Sequence, residues 1–155
     1  MKKTMKATMR LCTLAVMLIA VSFSMSAADA LLGKWQQTVD ESGVKVVTTY
    51  EFNADGTMKQ VMDMTSSTAP RIKMKGEGTC KYTFQDNTLT FKFNAKDFNF
   101  PVFEVEGVDQ ATTDAIMQQT KESMGAMEQK VTDIKISGNK LTGTFNGESF
   151  ELTRL

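Results

Sequence analysis

The chain has 155 residues, with 18 basic and 18 acidic side chains, no histidine and two cysteines. Without histidine there is no Ser-His-Asp or Cys-His catalytic group and no histidine-bearing zinc site, and zero net charge leaves no electrostatic footprint for nucleic acid. With 41% hydrophobic and 23% charged residues, the composition is that of one ordinary globular domain, too short for a second sizeable core.

Lys2, Lys3, Lys6 and Arg10 lead into an apolar run from Leu11 to Phe23, and Ser26, Ala27 and Ala28 follow it. This is the order of a secretory signal peptide, with cleavage expected after Ala28. The run is too short for a spanning helix of ~20 residues. The expectation is therefore a secreted or periplasmic protein with no membrane span after cleavage; a retained anchor is the alternative. Cys12 begins the apolar run instead of following it, which argues against lipid attachment. Loss of residues 1–28 removes four basic and no acidic groups. That leaves 14 basic against 18 acidic groups, a net charge of −4, with no general attraction for polyanions or anionic membranes. Only Cys80 remains, so no intramolecular disulfide can form and the domain must be held by its core.

Residues 29–155 read mainly as alternating runs broken by turn signals. Lys34 to Val39 is the first strand. Val44 to Asn53 alternates and ends at Ala54-Asp55-Gly56, a hairpin turn. Thr57 to Met64 follows, then a loop through Ser66 and Pro70. Arg71 to Phe84 is the longest alternating stretch, with Ile72, Met74, Cys80, Tyr82 and Phe84 on one face. Gln85-Asp86-Asn87 turns the chain into Thr88 to Asn94. Later come Val131 to Ser137, the turn at Gly138-Asn139, Leu141 to Asn146, and Glu148 to Leu155.

The exception is Val108 to Lys130, which lacks proline and period two. Ile116, Thr120, Met124, Met127 and Val131 fall near one helical face, Thr112 or Thr113 suits the N-cap, and Gly125 weakens the middle. Just upstream, Pro101 makes Phe98 to Phe103 an edge or crossing segment. Residues 95–130 are read as a connection laid against a face or an open end. The predicted fold is all-β: an antiparallel up-and-down barrel of about eight strands, with one helix inserted between strands 5 and 6. Sequential hairpins protect their edges by closing into such a barrel.

Gly33-Lys34-Trp35 opens the first strand and Glu151 to Leu155 ends the last. With the meander, these residues resemble the bacterial secreted lipocalin-like proteins of the calycin group. The resemblance implies that Gly33 and Trp35 close the base of the barrel and that Arg154 packs across the indole, a contact worth ~0.5–2 kcal/mol. Two departures stand out. The second lipocalin signature, Thr-Asp-Tyr in a late turn, has no match, and Thr132-Asp133-Ile134 is a poor substitute that falls in a predicted strand. The helix comes before the sixth strand instead of after the eighth.

The inward side chains form either a filled core or a ligand cavity. As a cavity, its walls are expected from Trp35, Tyr50, Met58, Met62, Met64 and Met74, with Tyr82, Phe91, Phe93 and Phe145. Gly76 and Gly78 on the inward face remove side chains, and Gln37, Thr48 and Gln60 place polar groups inside, where a filled core would rarely leave them unpaired. Cys80 reads as a buried small hydrophobe, with a reactive or intermolecular thiol as the alternative. Glu104 with Glu106, and Asp109 with Asp114, suit a strand end and a helix start better than acid–base chemistry. No catalytic residue, metal or cofactor is expected. The function expected is that of an exported, non-catalytic protein holding a small hydrophobic or amphipathic molecule inside the barrel, with Phe98 to Met127 as a cover. The alternative is a scaffold whose helix or loops bind another exported protein or an envelope component.

Overall fold

The computed structural model describes residues 26–125 and 128–155. The expected signal segment therefore lies outside the described residues except at Ser26-Ala27-Ala28, and so does Met127. The elements in order are α1 (Ala27–Leu31), β1 (Gly33–Glu41), β2 (Val44–Phe52), β3 (Thr57–Ser66), β4 (Ile72–Gln85) and β5 (Thr88–Phe91). A 3-10 turn (Ala95–Asp97), β6 (Phe98–Val105), α2 (Gln110–Gly125), β7 (Gln129–Ser137), β8 (Lys140–Phe145) and β9 (Glu148–Arg154) complete the chain.

Turn chemistry sets the strand boundaries. Ser42-Gly43, Asp86-Asn87 and Asn146-Gly147 all hold positive φ at both positions, which is what a two-residue turn needs to match the twist of its flanking strands. The hairpins pair in sequence order, and β9 returns to β1 through Trp35–Arg154 and Gln36–Thr153. β1, β2, β3, β4, β5, β7, β8 and β9 thus close an eight-stranded antiparallel ring. β6 is a ninth strand, paired only with β4, and Pro101 sits where a free edge tolerates it. β5 and β6 share one edge of β4 end to end, β5 along Tyr82–Gln85 and β6 along Ile72–Gly78.

The helix falls between β6 and β7 in the chain, hence between the fifth and sixth strands of the ring, and packs against β6 and the 3-10 turn. Three details differ from the sequence reading. Its N-cap is Asp109, whose carboxylate accepts from the Thr112 backbone N–H and hydroxyl, both at 2.9 Å. Asp competes well with Thr at this position because its two oxygens serve two donors. The packed face carries buried Thr113 and half-buried Met117, while Ile116 is 39% exposed. Gly125 is the last helical residue, and a Cβ there would lie 2.5 Å from the Ala95 nitrogen, so it marks a close approach between helix and turn.

In β7 the register shifts between Thr132 and Lys135, and Asp133 has φ 55°. Thr132-Asp133 is therefore a bulge within a strand. The extra residue turns both Ile134 and Val131 inward. Strict alternation from Ile136 upward would have turned Val131 outward.

The base is sealed by polar contacts around an apolar plug. Leu31 and Trp35 are fully buried. Trp35 Nε1 donates to the Leu31 carbonyl at 2.7 Å. Arg154 donates to the Leu32 carbonyl at 2.7 Å and the Ala30 carbonyl at 2.5 Å, with its guanidinium carbon 4.1 Å above the Trp35 ring. Replacing Arg154 with Ala should cost about 2–4 kcal/mol, from two charge-assisted hydrogen bonds and a cation–π contact, and Lys should recover less than half because it cannot fork. Urea unfolding of both variants checks this.

One side of the interior is filled. Phe93, Phe98, Phe100 and Phe103 form a ladder with successive centroids 5.5, 5.3 and 5.6 Å apart. The absent side chains of Gly76 and Gly78 make room for it. A Cβ at Gly76 would sit 2.9 Å from both the Phe98 and Phe100 rings, and one at Gly78 would collide with the Phe98 ring. Gly78→Ala should therefore destabilise by about 1–3 kcal/mol, as overpacking does. Adding Phe98→Leu should recover part of that loss in a double-mutant cycle read by thermal unfolding.

Candidate functional site

The other side of the barrel is hollow. A cavity of about 400 Å3 lies between β1–β3 on one wall and β5 and β7–β9 on the other. β4 and β6, whose space the phenylalanine ladder occupies, contribute nothing to its lining.

Polarity along the cavity follows exposure. Its deep part is apolar and buried: Phe52, Met58, Leu89, Ile134, Leu141 and Leu152 are each 5% exposed or less. Half-buried Gln37, Tyr50, Gln60 and Gln129 come next, and exposed Glu148 and Ser149 stand at the mouth. The mouth exists because β1 and β9 pair at only two positions. β1 then continues to Glu41 beside β2 alone.

Register explains the polar wall. Tyr50 lies directly opposite Gln60, and Gln37 is diagonal to Tyr50 through its partner Thr48. Side chains at such positions share one face and reach one another's neighbourhood. Among the described residues, the side chains of Gln37, Tyr50, Gln60 and Gln129 have no hydrogen-bond partner, yet no side-chain polar atom is sealed away unpaired. All four residues border the cavity, so their polar groups are open to an occupant. Burial raises the Tyr50 phenol above its usual pKa, so it stays protonated through the neutral range.

Of the ten wall residues expected from the sequence, Tyr50, Met58, Phe91, Phe93 and Phe145 stand on the lining. Trp35 does not, because its ring is held in the base under Arg154. Met62, Met64, Met74 and Tyr82 also stand off the lining and pack against the core. Met62 and Met74 neighbour the ladder side through β4, Met62 opposite Gly76 and Met74 opposite Phe103. Tyr82 is turned away by an edge contact with Phe52, at 5.2 Å, and a hydrogen bond from its hydroxyl to the Asn53 carbonyl at 3.1 Å. Of the two alternatives, a filled core or a shared cavity, each holds for part of the interior, because the ladder carried by β6 fills one side and leaves the other hollow. Gln129, Val131, Ile134, Glu148 and Ser149 line the cavity without having been foreseen. The β7 bulge hides Val131 from strict alternation, Ile134 shares the parity of Ile136, and Gln129 lay inside the predicted helical segment. Gly76 and Gly78 serve the ladder and leave the cavity untouched.

Cys80 lies opposite Met58 and is 9% exposed. Burial pushes its thiol up to about 11 from an ordinary 9, partly opposed by a hydrogen bond from the Lys92 backbone. The thiolate is the nucleophile, so alkylation of the folded protein at pH 8 should be about 100-fold slower than in the unfolded chain. Between pH 9 and about 11 the unfolded chain releases this proton while the folded chain keeps it. Stability should therefore fall as pH rises through that window. Urea midpoints at pH 8 and pH 10.5 should drop further for the wild type than for Cys80→Ala; equal drops would mean an unsealed thiol.

Among the described residues no group of three or more Cys, Asp or Glu side chains is placed to hold a metal ion. No model of a known protein family matches the chain, and no curated protein matches it.

Proposed function

We propose that this protein is an exported, lipocalin-like binding protein that holds a small hydrophobic or amphipathic molecule in its barrel and performs no chemistry on it. The observation that carries the reading is the cavity of about 400 Å3, with a buried apolar floor and, among the described residues, polar side chains free of hydrogen-bond partners toward its mouth. Pockets of this size and polarity bury most of a small ligand, with a few polar groups fixing its orientation. An empty apolar floor forgoes the dispersion contacts of a packed core, and a bound chain restores them. The basic, apolar and small-residue order of residues 1–28 supports export. In the lipocalin-like reading, Gly33, Trp35 and Arg154 close the base, and the clamp found there supports that role.

The alternative, a solid scaffold for another protein, draws less support. Large apolar side chains more than a third exposed among the described residues are Val39, Ile116 and Leu155, which belong to β1, α2 and the terminal residue. Single residues on separate elements are normal surface and do not make a docking patch.

Trp35 is a poor reporter for binding because its ring is in the base. An uncharged solvatochromic dye such as Nile red is the better probe. It should bind with saturable blue-shifted emission, and a ligand at 100-fold its Kd should raise stability by about 2.7 kcal/mol. Val131→Phe, which fills the cavity from the β7 wall, should weaken dye binding at least ~10-fold while the fold persists by circular dichroism. Absence of saturable binding by the wild type would refute the proposal.

A further inference from the structure

We infer that the ligand carries an uncharged, hydrogen-bonding head group of the alcohol or amide kind, and that the cavity discriminates against anionic amphiphiles. This rests on the binding reading above and adds a ligand class to it. The lining contains no Lys or Arg among the described residues, and its one charged group is Glu148, exposed at the mouth. Arg154 faces the base, where its guanidinium is committed to two carbonyls and an indole face. A carboxylate or sulfate drawn to the polar wall would lose hydration with no cation to replace it. Glu148 adds like-charge repulsion, weakened by its exposure to solvent.

The polar wall has the opposite character. Each glutamine amide offers two N–H donors and a carbonyl acceptor, and the Tyr50 hydroxyl both donates and accepts. Gln37, Tyr50 and Gln60 sit together on adjacent strands, and among the described residues none of the three side chains makes a hydrogen bond. A neutral head that donates and accepts satisfies them at little desolvation cost. Its apolar tail then fills the floor formed by Met58, Leu141 and Leu152.

The test is competition against bound Nile red by 1-decanol, decanoate and decylammonium at pH 7.5, each below its micelle concentration. The shared chain length holds the apolar contribution constant, so the order reports the head. Decanol should displace the dye at least ~10-fold more effectively than decanoate, since the buried anion lacks a partner. Tyr50→Phe and Gln60→Leu should each weaken decanol roughly fivefold, the worth of one hydrogen bond, and leave decanoate little changed. Decanoate binding as well as decanol would overturn the inference, as would decylammonium binding best, which would assign the head to Glu148. Dye binding with no order among the three heads would overturn the head-group assignment and leave the pocket standing. Failure of the dye to bind at all would remove both.

Discussion

The barrel depends on a seam that has very little strand pairing to hold it. β1 and β9 meet through two residue pairs, against nine between β1 and β2. The seam is secured instead by Arg154, which reaches across to two carbonyls flanking Leu31 and sits over the Trp35 ring. The two hydrogen bonds join residues more than 120 positions apart in sequence. A planar guanidinium suits this task, since it can donate in its plane and stack on its face at once. The same short pairing leaves the upper part of β1 free of β9, and this separation opens the mouth. Closure at one end and access at the other thus follow from one arrangement.

The interior is divided by an element outside the ring. β6 lies along β4 and sends Phe98 and Phe100 over Gly76 and Gly78, where a side chain on β4 would collide with them. Had β6 not filled this half, the space enclosed by the ring would be wider and less well shaped. As it stands, aromatic packing fills one side and leaves a small hollow against the other. The α2 helix covers β6 and the 3-10 turn, with Gly125 allowing its end to approach Ala95 closely. Helix and ninth strand therefore act together as an internal partition backed from outside.

Much of this was legible in the residues. Period-two alternation and paired turn residues indicated the hairpins, because each reflects local backbone geometry. The insertion point of the helix followed from the loss of that period, and Pro101 marked an edge. The cavity lining was legible only in part. Tyr50 and Met58 followed from alternation, yet the same alternation placed Trp35, Met62, Met74 and Tyr82 in a hollow they do not line. Facing inward is a property of one strand. Bordering empty space depends on what the neighbouring strands put there. The Asp133 bulge shows the same limit locally, since one residue in a left-handed conformation changed which side chains of β7 reach the interior.

The amino-acid sequence by itself determined the strand count of the ring, most of the inward and outward faces and the long inserted helix, since these rest on short-range periodicity and turn chemistry; the contact of Trp35 with Arg154 was expected only from the family resemblance. The tertiary structure alone decided that the interior is half ladder and half hollow, that Gly76 and Gly78 serve the ladder, and that Gln37, Tyr50, Gln60 and Gln129 face the same space. Those outcomes depend on side chains from distant strands competing for one volume, and no local pattern records which of them wins.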